Sequence, residues 1–256
     1  MRARLVVPAL TLALAAAGAS ADPAREPYLA AGALDVAAAL PAPPRPGSAA
    51  QAADAAIYAA TRDLAGSSRW HLAVADVASG VPRLLDDFSC AIGRRLDPAR
   101  VPALAELLAR LRRDVVAVVR NAKARFARLR PHLGNDAPIC VDRTEALDRS
   151  FAYPSGHATE GWTFGLVLAA LMPERAAPIL RRGRIYGESR IVCGVHWASD
   201  VEAGRSTGAA LFAALVGSPA FRADLDRARA ELAAGSEGAA PEAALCARED
   251  QAAHPP

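Results

Sequence analysis

Three groups of residues in this chain are of types that could handle a phosphoryl group. The first is Phe151-Ala-Tyr-Pro-Ser-Gly-His157, which runs straight into an apolar segment at 162–172. Pro154, Ser155 and Gly156 form a turn-prone approach to a helix, with Ser155 as its cap. A helix start leaves backbone N–H groups unpaired and carries partial positive charge, so it suits an anion. His157 stands where a side chain could deliver a proton to whatever is held there. The second group is Lys123 and Arg130, seven residues apart and close to two helical turns, so that both project from nearly the same side. Lys123 is the only lysine, against 29 arginines; an ammonium is a compact point charge where a guanidinium is a planar fork. The third is Arg190, His196 and Asp200. Arg130 and Arg190 can each grip phosphate oxygens with paired N–H donors. His196 and Asp200, four apart, share a face if a helix begins near His196. A carboxylate on one imidazole nitrogen fixes the tautomer and leaves the other free to attack. Were Lys123, Arg130 and Arg190 to meet in one pocket, they would be unfavourable there without an anion.

Taken singly, each group reads as a capped helix, a basic face or a structural His–Asp pair. Their order and spacing say more. Lys123, six residues, Arg130-Pro131; then Pro154-Ser155-Gly156-His157; then Ser189-Arg190, five residues, His196, three residues, Asp200: this pattern resembles the three-part signature of the phosphatidic-acid-phosphatase type 2/haloperoxidase superfamily, with every fixed position filled. The surroundings (Gly187-Glu-Ser-Arg190, Cys193-Gly194, His196-Trp197, Ser199-Asp-Val201) are more narrowly similar to the class A bacterial non-specific acid phosphatases, over about 40–232. The resemblance implies an all-α, single-domain helical bundle of the acid phosphatase/vanadium haloperoxidase type. It implies that His196 is the nucleophile and forms a phosphohistidine, that His157 protonates the leaving alcohol and later activates water, and that Asp200 orients His196. Lys123, Arg130, Ser155, Gly156 and Arg190 would hold the phosphoryl oxygens. Phosphoryl transfer needs charge stabilised on the equatorial oxygens and attacking and leaving atoms in line; fixed cations and amides supply the first, so no metal and no cofactor are expected. The expected substrates are small phosphomonoesters, with phosphate transfer to alcohols as a second outcome, and related soluble enzymes are commonly homo-oligomers. The alternatives are a vanadium-dependent haloperoxidase, whose vanadate site resembles this one, and a periplasmic phosphate-binding protein without turnover. The intact His157, His196 and Asp200 argue against the latter.

The 256-residue chain opens as a secretory signal peptide over 1–21, with Arg2 and Arg4, an apolar core from Leu5 to Ala17, and Ala19-Ser20-Ala21 for cleavage. After cleavage 28 Lys+Arg (30 minus two) face 27 Asp+Glu. So even a balance indicates neither nucleic-acid binding nor attachment to acidic membranes. No later apolar run reaches the roughly 18 residues of a membrane span, and the expected address is the periplasm or outside the cell. Four cysteines there favour two disulfides. Three pairings are open, and the expectation leans to Cys90–Cys140 with Cys193–Cys246. No Cys-x-x-Cys spacing suggests zinc.

These residues must be positioned by helices. Residues 22–48 are Ala/Pro-rich and read as extended chain along the surface. A helical domain occupies 49–235 and a polar, low-complexity tail 236–256, with Cys246 available to pin it. Helices are expected at 51–64, 70–77 and 83–92. A long one begins at Asp97-Pro98 and carries the apolar stripe Leu104, Leu108, Leu111, Val115, Val118/Val119, Ala122, Phe126 and Leu129. Pro131 should end it at 129 or 130. After a loop with a short helical turn at 144–149, helices follow at 155–172, 173–192, 197–216 and 218–234. Arg110, Arg112, Arg113 and Arg120 lie off the stripe and read as a solvated face.

Overall fold

A computed structural model describes residues 26–235 and 238–253; the expected signal peptide lies outside them. Among the described residues there are helices, turns and extended chain but no strand. The apolar stripe read from the sequence becomes the buried face of a 25-residue helix, α6. Before it come α1 (Val36–Ala39), α2 (Ala49–Arg62), α3 (Ser68–Ala75), α4 (Val81–Asp87) and α5 (Ser89–Ile92), with α6 spanning Pro102–Phe126. Leu104, Leu107, Leu108, Leu111, Val115 and Ala122 are buried along it. After α6 come α7 (Glu145–Arg149), α8 (Gly156–Leu171), α9 (Ala176–Val192), α10 (Ala198–Val216), α11 (Pro219–Ala233) and α12 (Ala243–Ala253). A 3-10 turn at Pro173–Arg175 precedes α9.

Helix α8 is apolar on nearly every side because it is buried on nearly every side, with Ala158, Thr163, Phe164, Val167 and Leu168 all enclosed by neighbouring helices. Helices α9 and α10 press against it. The approach is close enough to require glycine: a Cβ on Gly204 of α10 would stand 2.7 Å from the carbonyl oxygen of Ser155. That contact sets α10 directly behind the start of α8. The N-terminal segment, expected as extended chain, lies along the bundle and carries the short helix α1. Asp114 of α6 accepts the Tyr28 and Leu29 N–H groups, each at 2.9 Å, and the Tyr153 hydroxyl donates to the Pro41 carbonyl.

The long helix differs from expectation at both ends. It starts at Pro102, since Asp97 instead caps a separate turn, accepting from the Ala99 N–H at 2.9 Å. The cap of α6 comes from another helix, Glu231 of α11 accepting the Ala103 and Leu104 N–H groups. At the far end α6 stops at Phe126, where Ala127 turns left-handed with φ 47°. The carbonyls beyond are needed elsewhere: Arg128 O accepts from Ala152 N–H and Leu129 O from the Trp197 indole. Leu129, counted in the apolar stripe, is 63 % exposed.

The disulfides also correct the expected pairing. They are Cys90–Cys246 and Cys140–Cys193, with Cα–Cα separations of 5.4 and 4.7 Å. The loop after α6 folds back onto the end of α9, where the Cys140 N–H donates to the Cys193 carbonyl, and the C-terminal α12 packs beside α3 with Cys246 reaching α5.

Candidate active site

Four chain segments deliver the functional side chains to one place. Lys123 comes from the last turn of α6 and Arg130 from the extended strap after it. Ser155, Gly156 and His157 begin α8, and Arg190 lies in the last turn of α9. A tight turn containing Gly194 at φ 78° then leads to His196 and α10. Ser155 caps α8 as its type predicts, its Oγ accepting from the Ala158 N–H, while its own N–H donates to the Asp200 carbonyl at 2.9 Å.

Helix α10 begins at Ala198, later than expected, yet the His–Asp pair still forms. Asp200 lies in the first turn and accepts the Trp197 N–H at 2.8 Å, and His196 Nδ1 stands 3.4 Å from its Oδ2. Arg130 Nη1 lies 3.1 Å from His196 Nε2 and also donates to the Val195 carbonyl. A guanidinium can only donate. The His196 Nε2 therefore carries its lone pair, and the proton sits on Nδ1 facing Asp200. Arg130 Nε and Nη2 bind the Ser150 carbonyl and hydroxyl. Lys123 and Arg130 do converge, though not by helical periodicity; the left-handed turn at Ala127 swings Arg130 back toward the site.

Arg190 is unlike the other two cations. It is 5 % exposed, and among the described residues neither its Nε nor its Nη1 has a hydrogen-bond partner. Burial lowers its guanidinium to about 10, against the opposing pull of Tyr186 and Asp76. Lys123 is pushed down to about 7, by burial first and then by Arg130, with Arg190 adding to the effect and Asp200 opposing it. Burial likewise lowers His157 to about 3, with Arg190, Lys123 and Arg130 contributing, and holds His196 well below the ordinary imidazole range. Asp200 is raised to about 6 by burial despite the Arg128 charge beside it. Both histidines are thus neutral, and among the described residues no carboxylate forms an ion pair with Lys123, Arg130 or Arg190. His157 Nε2 lies 3.0 Å from the Val77 carbonyl and donates to it, so Nδ1 remains to exchange a proton. A cavity of about 510 Å³ opens over Lys123, Ser150, Phe151, Gly156 and His157.

The structure therefore brings together all eight residues singled out from the sequence, and it adds others. Arg128 donates to Asp200 Oδ1 at 2.5 Å and to Asp54 at 2.8 Å. Ser189, beside Arg190, donates to Asp76, which Arg182 also grips. Asp54 gave one faint signal, an acid three residues after Gln51 on an otherwise Ala-rich helix; Arg128 gave none. His132 is buried, with its Nε2 against Asp148.

Lys123, Gly156 and His157 line the cavity, with Arg130, Arg190 and His196 within electrostatic reach of them. The PAP2 superfamily model matches residues 104–223. A Zymomonas mobilis acid phosphatase is 44 % identical over 83 % of this chain and 81 % of its own. A Salmonella typhimurium non-specific acid phosphatase is 36 % identical over 75 % of this chain and 78 % of its own, and one from Providencia stuartii 34 % identical over 78 % and 82 %. The chain belongs to the PAP2 superfamily, among relatives named as bacterial acid phosphatases. A solved transmembrane PAP2 type phosphatidylglycerolphosphate phosphatase from Bacillus subtilis aligns with TM-score 0.49 and 21 % identity, covering 71 % of this chain and 89 % of that one. Among the described residues of the present protein, no helix is long and apolar enough to cross a membrane.

Proposed function

We propose that this protein is a metal-independent acid phosphatase, exported to the periplasm or beyond, which hydrolyses small phosphomonoesters through a phosphohistidine. The observation that carries the reading is the buried, unpartnered Arg190 in a ring with Lys123 and Arg130. Burying an unpaired charge costs several kcal/mol, and a dianionic phosphoryl group would offset it. The relatives' names supply the reaction class, and the positive charge comes from side chains.

The phosphoryl oxygens would lie against Arg190, Lys123, Arg130, the Ser155 hydroxyl and the amides at the start of α8. The phosphate would draw Arg130 off His196 Nε2, freeing its lone pair to attack phosphorus. The P–O bond to the alcohol breaks as the N–P bond forms, and His157 gives its proton to the departing oxygen. The phosphate dianion would raise His157 enough to carry that proton. Asp200 stabilises the positive His196 ring. Water then loses a proton to His157 and attacks phosphorus, and the N–P bond breaks; an alcohol in place of water gives phosphotransfer.

The test is trapping with ³²P-labelled substrate under an alkaline denaturing quench, with and without chelator. A base-stable, acid-labile phosphoenzyme is expected in both conditions and none in His196→Ala. Turnover that chelation abolishes and a divalent ion restores would defeat the reading, as would a phosphoenzyme surviving in His196→Ala. Halide oxidation with vanadate and peroxide, in the absence of phosphatase turnover, would transfer the protein to the haloperoxidases.

A further inference from the structure

Behind Asp200 lies a chain of buried charges with no place in the mechanism above. Both oxygens of Asp200 are committed, Oδ2 to the Trp197 N–H and His196 and Oδ1 to Arg128 Nη1. The Arg128 side chain is 7 % exposed and Asp54, on α2, is 4 % exposed. Arg128 Nη2 donates to Asp54 Oδ2 and to Gln51 Oε1, both at 2.8 Å, and Nη1 also reaches the Ser199 hydroxyl. Asp54 in turn accepts the Ser199 N–H at 2.9 Å and the Ser199 hydroxyl. The guanidinium is thus fixed between two carboxylates from helices far apart in sequence, over the Trp197 ring.

We propose that Arg128 is a positioning residue for His196, acting through Asp200, and that Asp54 sets how much of the Arg128 charge falls on Asp200. The proposal rests on the phosphohistidine reading. An arginine paired with Asp200 alone would neutralise the carboxylate that must stabilise a positive imidazole. Two acids sharing one arginine leave a single net negative charge, and the geometry directs it at His196 Nδ1. The arrangement holds the carboxylate rigidly without exhausting it. This explains why a buried arginine stands beside a group whose task is to be negative.

The other groups facing Asp200 are Lys123 from α6, Arg130 from the strap and Tyr153 before α8. None of these changes in the test. Arg128→Gln removes the cation and Asp54→Asn removes the competing anion, so the acid limb of kcat/KM should move in opposite directions. Whether Asp200 or His196 limits, losing a neighbouring positive charge raises its pKa and losing a negative one lowers it. The limb should rise in Arg128→Gln by about 1–3 pH units, the range for a charge in direct contact, and fall in Asp54→Asn by less, since Asp54 acts on Asp200 from the far side of Arg128. KM should change little, since the phosphate-holding residues are intact, while kcat falls. Arg128→Lys should keep the limb near that of the wild type. In the Arg128→Gln/Asp54→Asn double variant the limb should move back part of the way while kcat stays low, separating charge from positioning.

Acid limbs that stay in place, or move the same way in both single variants, would overturn the proposal. Should Arg128→Gln melt below the assay temperature, Asp54→Asn and Arg128→Lys decide: an acid limb in Asp54→Asn that is unmoved or raised is sufficient refutation. A wild-type protein that forms no phosphohistidine would sink the functional reading, whereas normal phosphoenzyme with limbs that fail to separate sinks this inference alone.

Discussion

Arg190→Met should make the empty protein more stable and the phosphate-bound protein less so. The guanidinium is 5 % exposed, with two of its nitrogens unpartnered, and burial holds it at about 10. The sign is fixed by the direction of that shift. A base whose folded pKa is depressed destabilises the fold throughout the range where it stays charged, here everywhere below about pH 10. The displacement corresponds to roughly 3 kcal/mol at about 1.4 kcal/mol per tenfold. Methionine has a similar reach, no charge and the flexibility to fill the space. With about 2–4 °C per kcal/mol for a domain of this size, the melting temperature in phosphate-free buffer should rise by roughly 6–12 °C. Phosphate at a hundred times its Kd should stabilise the wild type by about 2.7 kcal/mol and the variant far less, so the order of the two melting curves should narrow or invert as phosphate is titrated in. Differential scanning fluorimetry across a phosphate series reads both effects. A variant that melts below the wild type without phosphate, and gains as much from it, would show that Arg190 is an ordinary structural arginine.

Other outcomes follow from the same geometry. His157→Ala should lose roughly 10²–10⁴-fold in turnover of alkyl phosphates, whose leaving oxygen needs a proton, and much less with nitrophenyl phosphate; an equal loss for both would remove His157 from the proton donor's role. Lys123, held at about 7, loses its charge as pH rises through that value in the empty enzyme, so phosphate capture should weaken above it. Lys123→Arg should carry the basic limb of kcat/KM upward, and a limb that does not move would assign it to another group. Gly204→Ala places a methyl 2.7 Å from the Ser155 carbonyl. It should cost about 1–3 kcal/mol in chemical denaturation and raise KM as the start of α8 is displaced; an unchanged KM would show that the contact does not set the phosphate cradle.

What could be read from the sequence was governed by range. The start of α8 was legible because Ser155 capping Ala158 is chemistry confined to four residues, and the α6 face because Leu104, Leu108, Leu111 and Val115 repeat at helical spacing. The end of α6 was not. Alanine gives no warning of a positive φ, and what holds Ala127 there is Arg128, whose partners Asp54 and Asp200 lie 74 and 72 residues away. Spacing suggested the right destination for Lys123 and Arg130 by the wrong route. Asp97-Pro98 looked like a helix start because the cap that operates, Glu231, is 128 residues from the N–H it accepts. The disulfide partners were likewise a matter of which loop returns to which helix, and only the packed bundle decides that.

The two disulfides are nested, Cys140–Cys193 lying within the loop closed by Cys90–Cys246. All eight site residues singled out from the sequence, from Lys123 to Asp200, fall inside the outer ring. A protease that cuts once anywhere between 90 and 246 therefore opens a circle and releases no fragment. Both halves of the cut chain stay tied, and only a second cut frees a piece. Closing a ring of 156 residues also removes roughly 5 kcal/mol of freedom from the unfolded chain on the loop-entropy account. A nick in this ring is a tolerable injury: the ends can separate at the surface while the residues around Arg190 and His196 remain parts of one covalent body.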